Sequence, residues 1–297
     1  MFVSGVAGFL GSHVADYFLE RGHRVVGCDN LFGGEMENVP SAVEFHRVDC
    51  NDVAKLTPLL EGVDVVYHAA ATPYEGISVF APHLVTQHVV GATVGITSAA
   101  VQSRVRRIVL CSSMARYGSQ AVPFLETMEP KPQDPYGIGK LAAEQLVRNL
   151  CQTHGLEHVI AVPHNIIGPR QKYDDPYRNV ASIMINLMLQ GRQPYIYGDG
   201  SQKRCFSFVQ DVVSCLARLA LDPDVDGEIF NVGPDEEFVS VLELAQRIGY
   251  QTKHTLDQGL AEMIAFIRAR GPRPFKYHVE LEIMNERTPE TWLRRLL

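Results

Sequence analysis

The 297-residue sequence is short of positive charge: 27 Lys and Arg stand against 34 Asp and Glu, a net charge of −7, with no basic block. A nucleic-acid backbone is gripped by clustered Lys and Arg, so no nucleic-acid partner is expected. No apolar run approaches the roughly 18 residues of a membrane span, and the N-terminus enters a strand pattern instead of a charged stretch followed by an apolar one. No membrane association and no export are expected, hence a cytoplasmic protein. Six cysteines (Cys28, Cys50, Cys111, Cys151, Cys205, Cys215) form no CxxC pair and sit mostly in apolar segments. Buried free thiols in a reducing compartment are favoured over a disulfide framework or a zinc site. The eleven histidines form neither HExxH nor a cluster at metal spacing, so no metal is predicted. Repeats and low-complexity tracts are absent, and 46% hydrophobic with 21% charged residues excludes fibrous and disordered classes.

What is present is alternation. Short apolar runs at Met1 to Ser4, Arg24 to Cys28, Val43 to Val48, Val63 to His68, Arg107 to Cys111 and His158 to Val162 read as strands. Helical periodicity covers Phe9 to Arg21, His83 to Gln102 and Tyr136 to His154. Strands alternating with helices of this length predict an α/β fold, a Rossmann-type doubly wound parallel sheet, over residues 1–165. Beyond about Asn165 come a loop rich in Pro, Arg, Asp and Tyr (Gly168 to Asn179), a helix near Ala181 to Gln190, and shorter strands at Pro194 to Tyr197, Arg204 to Val209 and Glu228 to Val232. Residues 166–297 are therefore expected to form mainly a smaller substrate-binding lobe, with segments near 204–212 and 228–233 returning to the first sheet. The tail from Gly271 predicts an edge strand over Lys276 to Ile283 and a short helix bearing Trp292.

Gly5, Gly8 and Gly11 form GxxGxxG between the first strand and the first helix. Glycine lets the backbone turn tightly and approach a pyrophosphate, and the helix N-terminus offers unpaired N–H groups with a partial positive charge. Any strand-to-helix turn favours glycine, and an isolated Asp beside Asn30 reads as a turn cap. Here, however, strand, glycine turn, helix, strand and Asp29 follow in the order a dinucleotide site requires, with the carboxylate placed for the adenine ribose hydroxyls. A carboxylate repels a 2′-phosphate and no Arg lies between Asp29 and Val39, so NAD is expected in preference to NADP.

Tyr136 and Lys140 stand four residues apart at the start of a helix, which stacks the phenol and the ammonium on one face. A lysine beside a tyrosine favours the phenolate and so a proton acceptor for a sugar hydroxyl. Alone, that spacing equally describes a surface helix with an amphipathic tyrosine. Ser113 lies just beyond the end of the preceding strand, where open α/β sheets bind ligands, or else serves as a loop cap.

The sequence resembles the extended short-chain dehydrogenase/reductases, in particular the NAD-dependent epimerase/dehydratase group acting on nucleotide sugars. The matching stretches are Val3 to His13, Asp29-Asn30-Leu31, Val66 to Ala71, Ser112-Ser113 with Tyr117-Gly118, Pro135-Tyr136 with Lys140, Asn165 to Gln171, and Gly198 to Arg204. The resemblance implies Tyr136 as catalytic base, Lys140 as its modulator and nicotinamide-ribose ligand, and Ser113 as hydroxyl partner. It implies cofactor contacts at Gly5, Gly8, Phe9, Leu10, Gly11, Asp29, Asn30, Asp49, Cys50, Ala69, Ala70, Ala71, His88 and His164. Asn165, Asn179, Val180 and Arg204 match positions that hold the nucleotide sugar, with Arg204 on the diphosphate; Asn179 read alone is a helix cap. A homodimer is implied by the helices His83 to Gln102 and Tyr136 to His154, which resemble those that pair across a two-fold axis in this family.

The departures are also informative. His88 stands where an asparagine is usual, and His164 replaces a usual aromatic. The chain is several tens of residues shorter than the family near 248–255, where an arginine that completes the diphosphate site is expected. Met114, Ala115 and Arg116 occupy the positions at which dehydratases carry an Asp-Glu pair and decarboxylases a Glu. The expected reaction is thus epimerisation by transient oxidation to a keto-sugar, at C4 of a UDP-hexose, UDP-hexosamine or UDP-hexuronate. The alternatives are a dehydratase or reductase of the same family, or a non-catalytic NAD-binding regulatory protein.

Overall fold

A computed structural model describes residues 1–192, 206–233 and 256–297. Its centre is a seven-stranded sheet built from β1 (Phe2–Ser4), β2 (Val26–Asp29), β3 (Glu44–Arg47), β4 (Val65–His68), β5 (Arg107–Cys111), β6 (Glu157–Pro163) and, after a small pair described below, the strand Ile229–Val232. All pairings are parallel, in the order β3-β2-β1-β4-β5-β6 followed by Ile229–Val232. The inner strands are buried along their whole length, which is why they read as continuous apolar runs and not as alternation. One face is covered by α1 (Phe9–Leu19), through Val14, Ala15 and Phe18, and by the helix Val209–Leu221. The other is covered by α2 (Val53–Leu59), α4 (Ala92–Gln102) and α5 (Pro135–His154), through residues such as Leu56, Ile96, Ala99 and Val147. The doubly wound α/β expectation is met. The short helix α2, capped by the Asp52 side chain on the N–H of Lys55, went unread because its Pro58 interrupts the periodicity.

The strand Ser207–Phe208 pairs with Ile166–Ile167 in a separate two-stranded sheet, and Val209 already begins a helix. The expected strand to Val209 is thus shorter, and its first residues, like Pro194 to Tyr197, lie outside the described residues. Around this small sheet Tyr173, Ile185, Met263 and Ile267 form a second core, contributed by α6 (Val180–Leu189) and the helix Leu256–Arg270. The expected shortening near 248–255 also falls outside the described residues.

Two other expectations need correction. The helix expected from His83 to Gln102 starts with α3 (Pro82–Thr86) and passes through a wider π turn, Gln87–Gly91, before continuing as α4. At 21 residues, Pro82–Gln102 is long and apolar enough to cross a membrane, contrary to the sequence reading. Half of its apolar window is buried, and it packs on α5 and α2 as a core helix does. The tail over Lys276 to Ile283 makes no strand ladder. Glu282 and Ile283 both donate their N–H to the Phe80 carbonyl, and the Glu282 carboxylate accepts from the N–H groups of His83 and Leu84 at the start of α3. Val279, Leu281 and Trp292 pack on Tyr74, Ile77 and Phe80, so the alternation in the tail reflects burial against helices and loops and not a sheet edge.

Candidate active site

Strand order reverses between β1 and β4, and the crevice beyond their carboxyl ends is the place where open α/β sheets take ligands. A cavity of about 560 Å³ opens there. Its floor is the glycine turn. Gly5 has φ +73°, and a Cβ on it would lie 2.8 Å from Ala70 Cα; one on Gly11 would lie 2.2 Å from the Gly5 carbonyl oxygen. Helix α1 starts at Gly8 without a side-chain cap, so its first N–H groups are left for a ligand. Bare backbone, close approach and a helix N-terminus at one point suit the phosphates of a dinucleotide.

Beside this turn, Asp29 ends β2 and accepts from the N–H groups of Leu31 (2.7 Å) and Ala7 (3.1 Å). Burial raises its pKa against these two bonds. Asn30 donates to Asp49 at 2.7 Å, and Asn51 donates to the same carboxylate through backbone and side chain. Burial opposes ionisation of Asp49, yet these bonds hold it below the usual range. His88 sits in the π turn with Nδ1 at 2.7 Å from the Thr72 hydroxyl and its ring edge-on to Phe32. Burial lowers its pKa, with Asp49 opposing. Cys50 lines the same end, its Sγ 3.9 Å from that of Cys28.

At the other end, Asp134 caps α5 by accepting from the Gly137 N–H, and Pro135 takes the first helical position. This fixes Tyr136 in the first turn and Lys140 one turn later, both buried and both on the cavity wall. Ser113 stands close enough to the Tyr136 phenol to lower its pKa, and its hydroxyl caps the turn Met114–Tyr117 by accepting from the Ala115 N–H. The loop-cap reading of Ser113 is met, and the residue also lines the cavity. Burial pushes the Tyr136 phenol well above its ordinary value; the Ser113 hydroxyl opposes this, while Glu75 and Asp134 add to it. Burial brings Lys140 down to about 8, against the opposing pull of Cys111 and Glu144.

Behind Ser113, Glu144 accepts from the Ser112 hydroxyl and pairs with Arg116 at 3.2 Å, all three being buried. Arg116 thus points inward, away from the cavity, and neither Met114 nor Ala115 lines it.

Of the cofactor, catalytic and substrate contacts expected from the sequence, those from Gly5 through Lys140 all line this one cavity, as do Asn165, Asn179 and Val180. His164 does not. Successive residues of extended chain face opposite ways, and His164, whose N–H continues the ladder to the Val232 carbonyl, is turned off the wall between Pro163 and Asn165. Arg204 lies outside the described residues. The sequence reading missed Phe32, Tyr74, Glu75, Tyr177 and Arg178, which also line the cavity. Only Tyr177-Arg178, adjoining Asn179 in the loop rich in Pro, Arg, Asp and Tyr, carried a compositional signal.

With this geometry in hand, comparison with known proteins fixes the family. Residues 1–233 match the model of the NAD dependent epimerase/dehydratase family. The chain is 39% identical over 247 residues to a UDP-glucose 4-epimerase of Mycolicibacterium smegmatis, covering 79% of this chain and 77% of the relative. It is 32% identical over 268 residues to a UDP-N-acetyl-alpha-D-glucosaminuronate decarboxylase of Bacillus cytotoxicus, covering 85% and 80%. Among solved structures, a UDP-glucose 4-epimerase of Thermus thermophilus in complex with NAD superposes with a TM-score of 0.79 at 27% identity, covering 90% of this chain and 98% of that one. The chain belongs to the NAD-dependent epimerase/dehydratase family.

Proposed function

We propose that this protein is an NAD-dependent nucleotide-sugar epimerase that inverts a hydroxyl-bearing carbon, C4 of a UDP-hexose, UDP-hexosamine or UDP-hexuronate, through a transient keto-sugar. The observation that carries this reading is the convergence of Ser113, Tyr136 and Lys140 with the glycine turn and Asp29 on one cavity. A non-catalytic NAD-binding protein has no use for the first three.

Reversible hydride acceptance at a sugar carbon is the chemistry NAD supplies when bound. Tyr136 takes the proton of the sugar hydroxyl at its phenol oxygen and later returns it. Ser113, beside that phenol on the cavity wall, holds the same sugar oxygen. Lys140 provides positive charge beside the phenol and reaches the nicotinamide ribose. Gly8, Phe9, Leu10 and Gly11 bring backbone to the pyrophosphate, and Asp29 accepts from the adenine ribose. Asn165, Asn179 and Val180 hold the nucleotide sugar, with Arg204 on its diphosphate, so that residues beyond 165 form mainly a substrate lobe. The protein works as a homodimer through the faces of Pro82–Gln102 and α5, where Ile138 is 54% exposed. A cytoplasmic setting accords with the five described cysteines, all buried and free.

The placement of Met114, Ala115 and Arg116 supports epimerisation over its relatives' reactions. No residue of this stretch lines the cavity, so it supplies neither the base that abstracts a proton nor the acid that protonates the leaving hydroxyl in a dehydratase. Incubating the protein with UDP-glucose, UDP-N-acetylglucosamine and UDP-glucuronate tests the reading: one of them gives a product of unchanged mass and inverted configuration. A second reading rests on Glu75, a carboxylate on the cavity wall close enough to raise Tyr136. If the product has lost water or carbon dioxide, the epimerase assignment fails, and turnover of a Glu75→Gln variant then tests whether Glu75 takes part.

A further inference from the structure

Three successive turns of α5 meet three successive residues at the end of β5. Tyr136, Lys140 and Glu144 stand four residues apart, a spacing that puts them on one helix face. Lys140 donates to the carbonyl of Cys111 at 2.8 Å, the Glu144 carboxylate accepts from the Ser112 hydroxyl, and Tyr136 lies beside Ser113. Tyr136 and Lys140 line the cavity; Glu144 is off its wall and 2% exposed.

Glu144 holds the chain on both sides of Ser113. Before it comes the Ser112 hydroxyl; after it comes Arg116, whose Nη2 lies 3.2 Å from the second carboxylate oxygen. The backbone between them is fixed as well: the Ser112 N–H donates to the Ala161 carbonyl of β6 at 2.7 Å, and the Arg116 N–H to the Ser113 carbonyl at 3.1 Å. Arg116 is anchored a second time, its Nη1 3.4 Å from the Tyr117 hydroxyl, which donates to Asn231 at 2.9 Å. With both flanks tied to one buried carboxylate, Ser113 is kept from drifting away from Tyr136.

The same carboxylate faces the lysine. The charged groups around Glu144 are Arg116, Arg148 and Lys140. Around Lys140 stand Cys111 and Glu144, with His68 across on β4. Burial brings Lys140 down to about 8, and Cys111 and Glu144 oppose that fall. Burial also pushes the Cys111 thiol up to about 11 and His68 down to about 3, so both are neutral where Lys140 titrates. Among the described residues this leaves Glu144 as the anion that favours the ammonium.

We propose that Glu144 is a positioning residue for the reaction: from behind the wall it holds Ser113 at Tyr136 and keeps Lys140 charged. This rests on reading Ser113, Tyr136 and Lys140 as the reacting set. Because Glu144 is off the cavity wall, its loss should appear in the chemical step and not in binding.

The test uses full chains of wild type, Ser112→Ala, Glu144→Gln, and Arg116→Met combined with Glu144→Gln. The double variant removes the cation that Glu144→Gln alone leaves buried, and so separates folding stability from turnover. Turnover is measured per NAD-loaded chain on whichever of UDP-glucose, UDP-N-acetylglucosamine and UDP-glucuronate the wild type converts. The double variant should recover stability over Glu144→Gln and still lose about 10- to 100-fold in kcat, up to the cost of a misplacement of about 1 Å. Its KM and NADH affinity should stay within about two-fold of wild type. Ser112→Ala should show a smaller loss in kcat, and it serves if the Glu144 variants fail to fold. Lys140 is followed in the ligand-free protein by nuclear magnetic resonance of isotope-labelled lysine, its signal assigned with Lys140→Met. In the double variant it should titrate at lower pH than in wild type, and the alkaline limb of kcat should move the same way. A kcat that returns to wild type together with stability makes the role merely structural and overturns the inference. An unchanged Lys140 titration, or an unchanged kcat in Ser112→Ala, equally overturns it. Wild type that takes up NAD but converts none of the three sugars ends the functional reading, and the Lys140 titration then decides the inference alone.

Discussion

Lys140 donates its Nζ to the carbonyl oxygen of Cys111, the last residue of β5, at 2.8 Å, while lying 5.9 Å from the centre of the Tyr136 ring. The lysine is therefore tied to the sheet, and the neighbour whose hydroxyl lowers the phenol's pKa is Ser113. Burial raises the pKa of the Tyr136 phenol above its ordinary value, against the opposing influence of Ser113 and Arg178. A role as base therefore requires the phenol's environment to change when the cavity is filled.

Tyr136→Phe is expected to cut turnover by about 10²- to 10⁴-fold, the usual worth of a positioned base, with NAD binding and melting temperature close to wild type. In the ligand-free protein, a difference ultraviolet titration of wild type against this variant should show no additional phenolate up to about pH 10, the ordinary tyrosine value. Near-normal turnover would remove Tyr136 from its role.

Asp29→Ala should weaken NAD binding by about 1.5–3 kcal/mol, the range for hydrogen bonds to a charged group. NADP, which a carboxylate repels, should lose less or gain. Because Asp29 also accepts from Ala7 and Leu31, the variant loosens the glycine turn itself. Isothermal titration with both dinucleotides decides the matter, and a wild-type preference for NADP would contradict the assignment of β2.

Arg116 and Glu144 form a buried ion pair behind Ser112. Removing either partner alone leaves a buried charge and should cost about 3–5 kcal/mol in urea unfolding. Removing both, as Arg116→Met with Glu144→Gln, should cost clearly less than the two single losses added together. Strict additivity would show that the two side chains do not act as a pair.

Acid stability should depend on His68. Its ring lies between the Ser4 hydroxyl at 2.7 Å and the Thr93 hydroxyl at 3.0 Å. Burial, with the Lys140 charge adding to it, pushes its pKa from 6.5 down to about 3. The unfolded chain therefore binds the proton more readily than the folded one. The contribution of the neutral ring is full above pH 6.5 and is lost as the pH falls from 6.5 towards 3, at most on the order of 5 kcal/mol. His68→Gln should flatten this limb of the stability curve, and an unchanged limb would argue against a neutral buried imidazole.

Much of the site was legible because its signals are local. GxxGxxG followed by Asp29, and Tyr136 followed by Lys140, are read within single strand-turn-helix units whose geometry follows from backbone rules. What escaped was non-local. Arg178 adjoins Asn179 in sequence, yet its place across Gly33 from Asp29 depends on a loop packed by Asp175, Tyr74 and His278. The segment from Asp29 to Val39 contains no arginine, as the preference for NAD over NADP required, while the fold brings an arginine there from elsewhere. His164 failed for a different reason, since a shift of one residue along extended chain exchanges the two faces.

The alternation of apolar strands with helices determined, without any coordinates, a parallel α/β sheet and the crevice where its order reverses. Burial on both faces leaves a period in the sequence, and chain sterics allow few connections through it. Tertiary structure alone decided that Arg116 turns inward to Glu144 and that the tail straps Phe80 instead of joining a sheet. It alone decided, too, that Lys140 binds the Cys111 carbonyl. A side chain's partner is set by which groups share its burial, and residues far apart in the chain meet there only after folding.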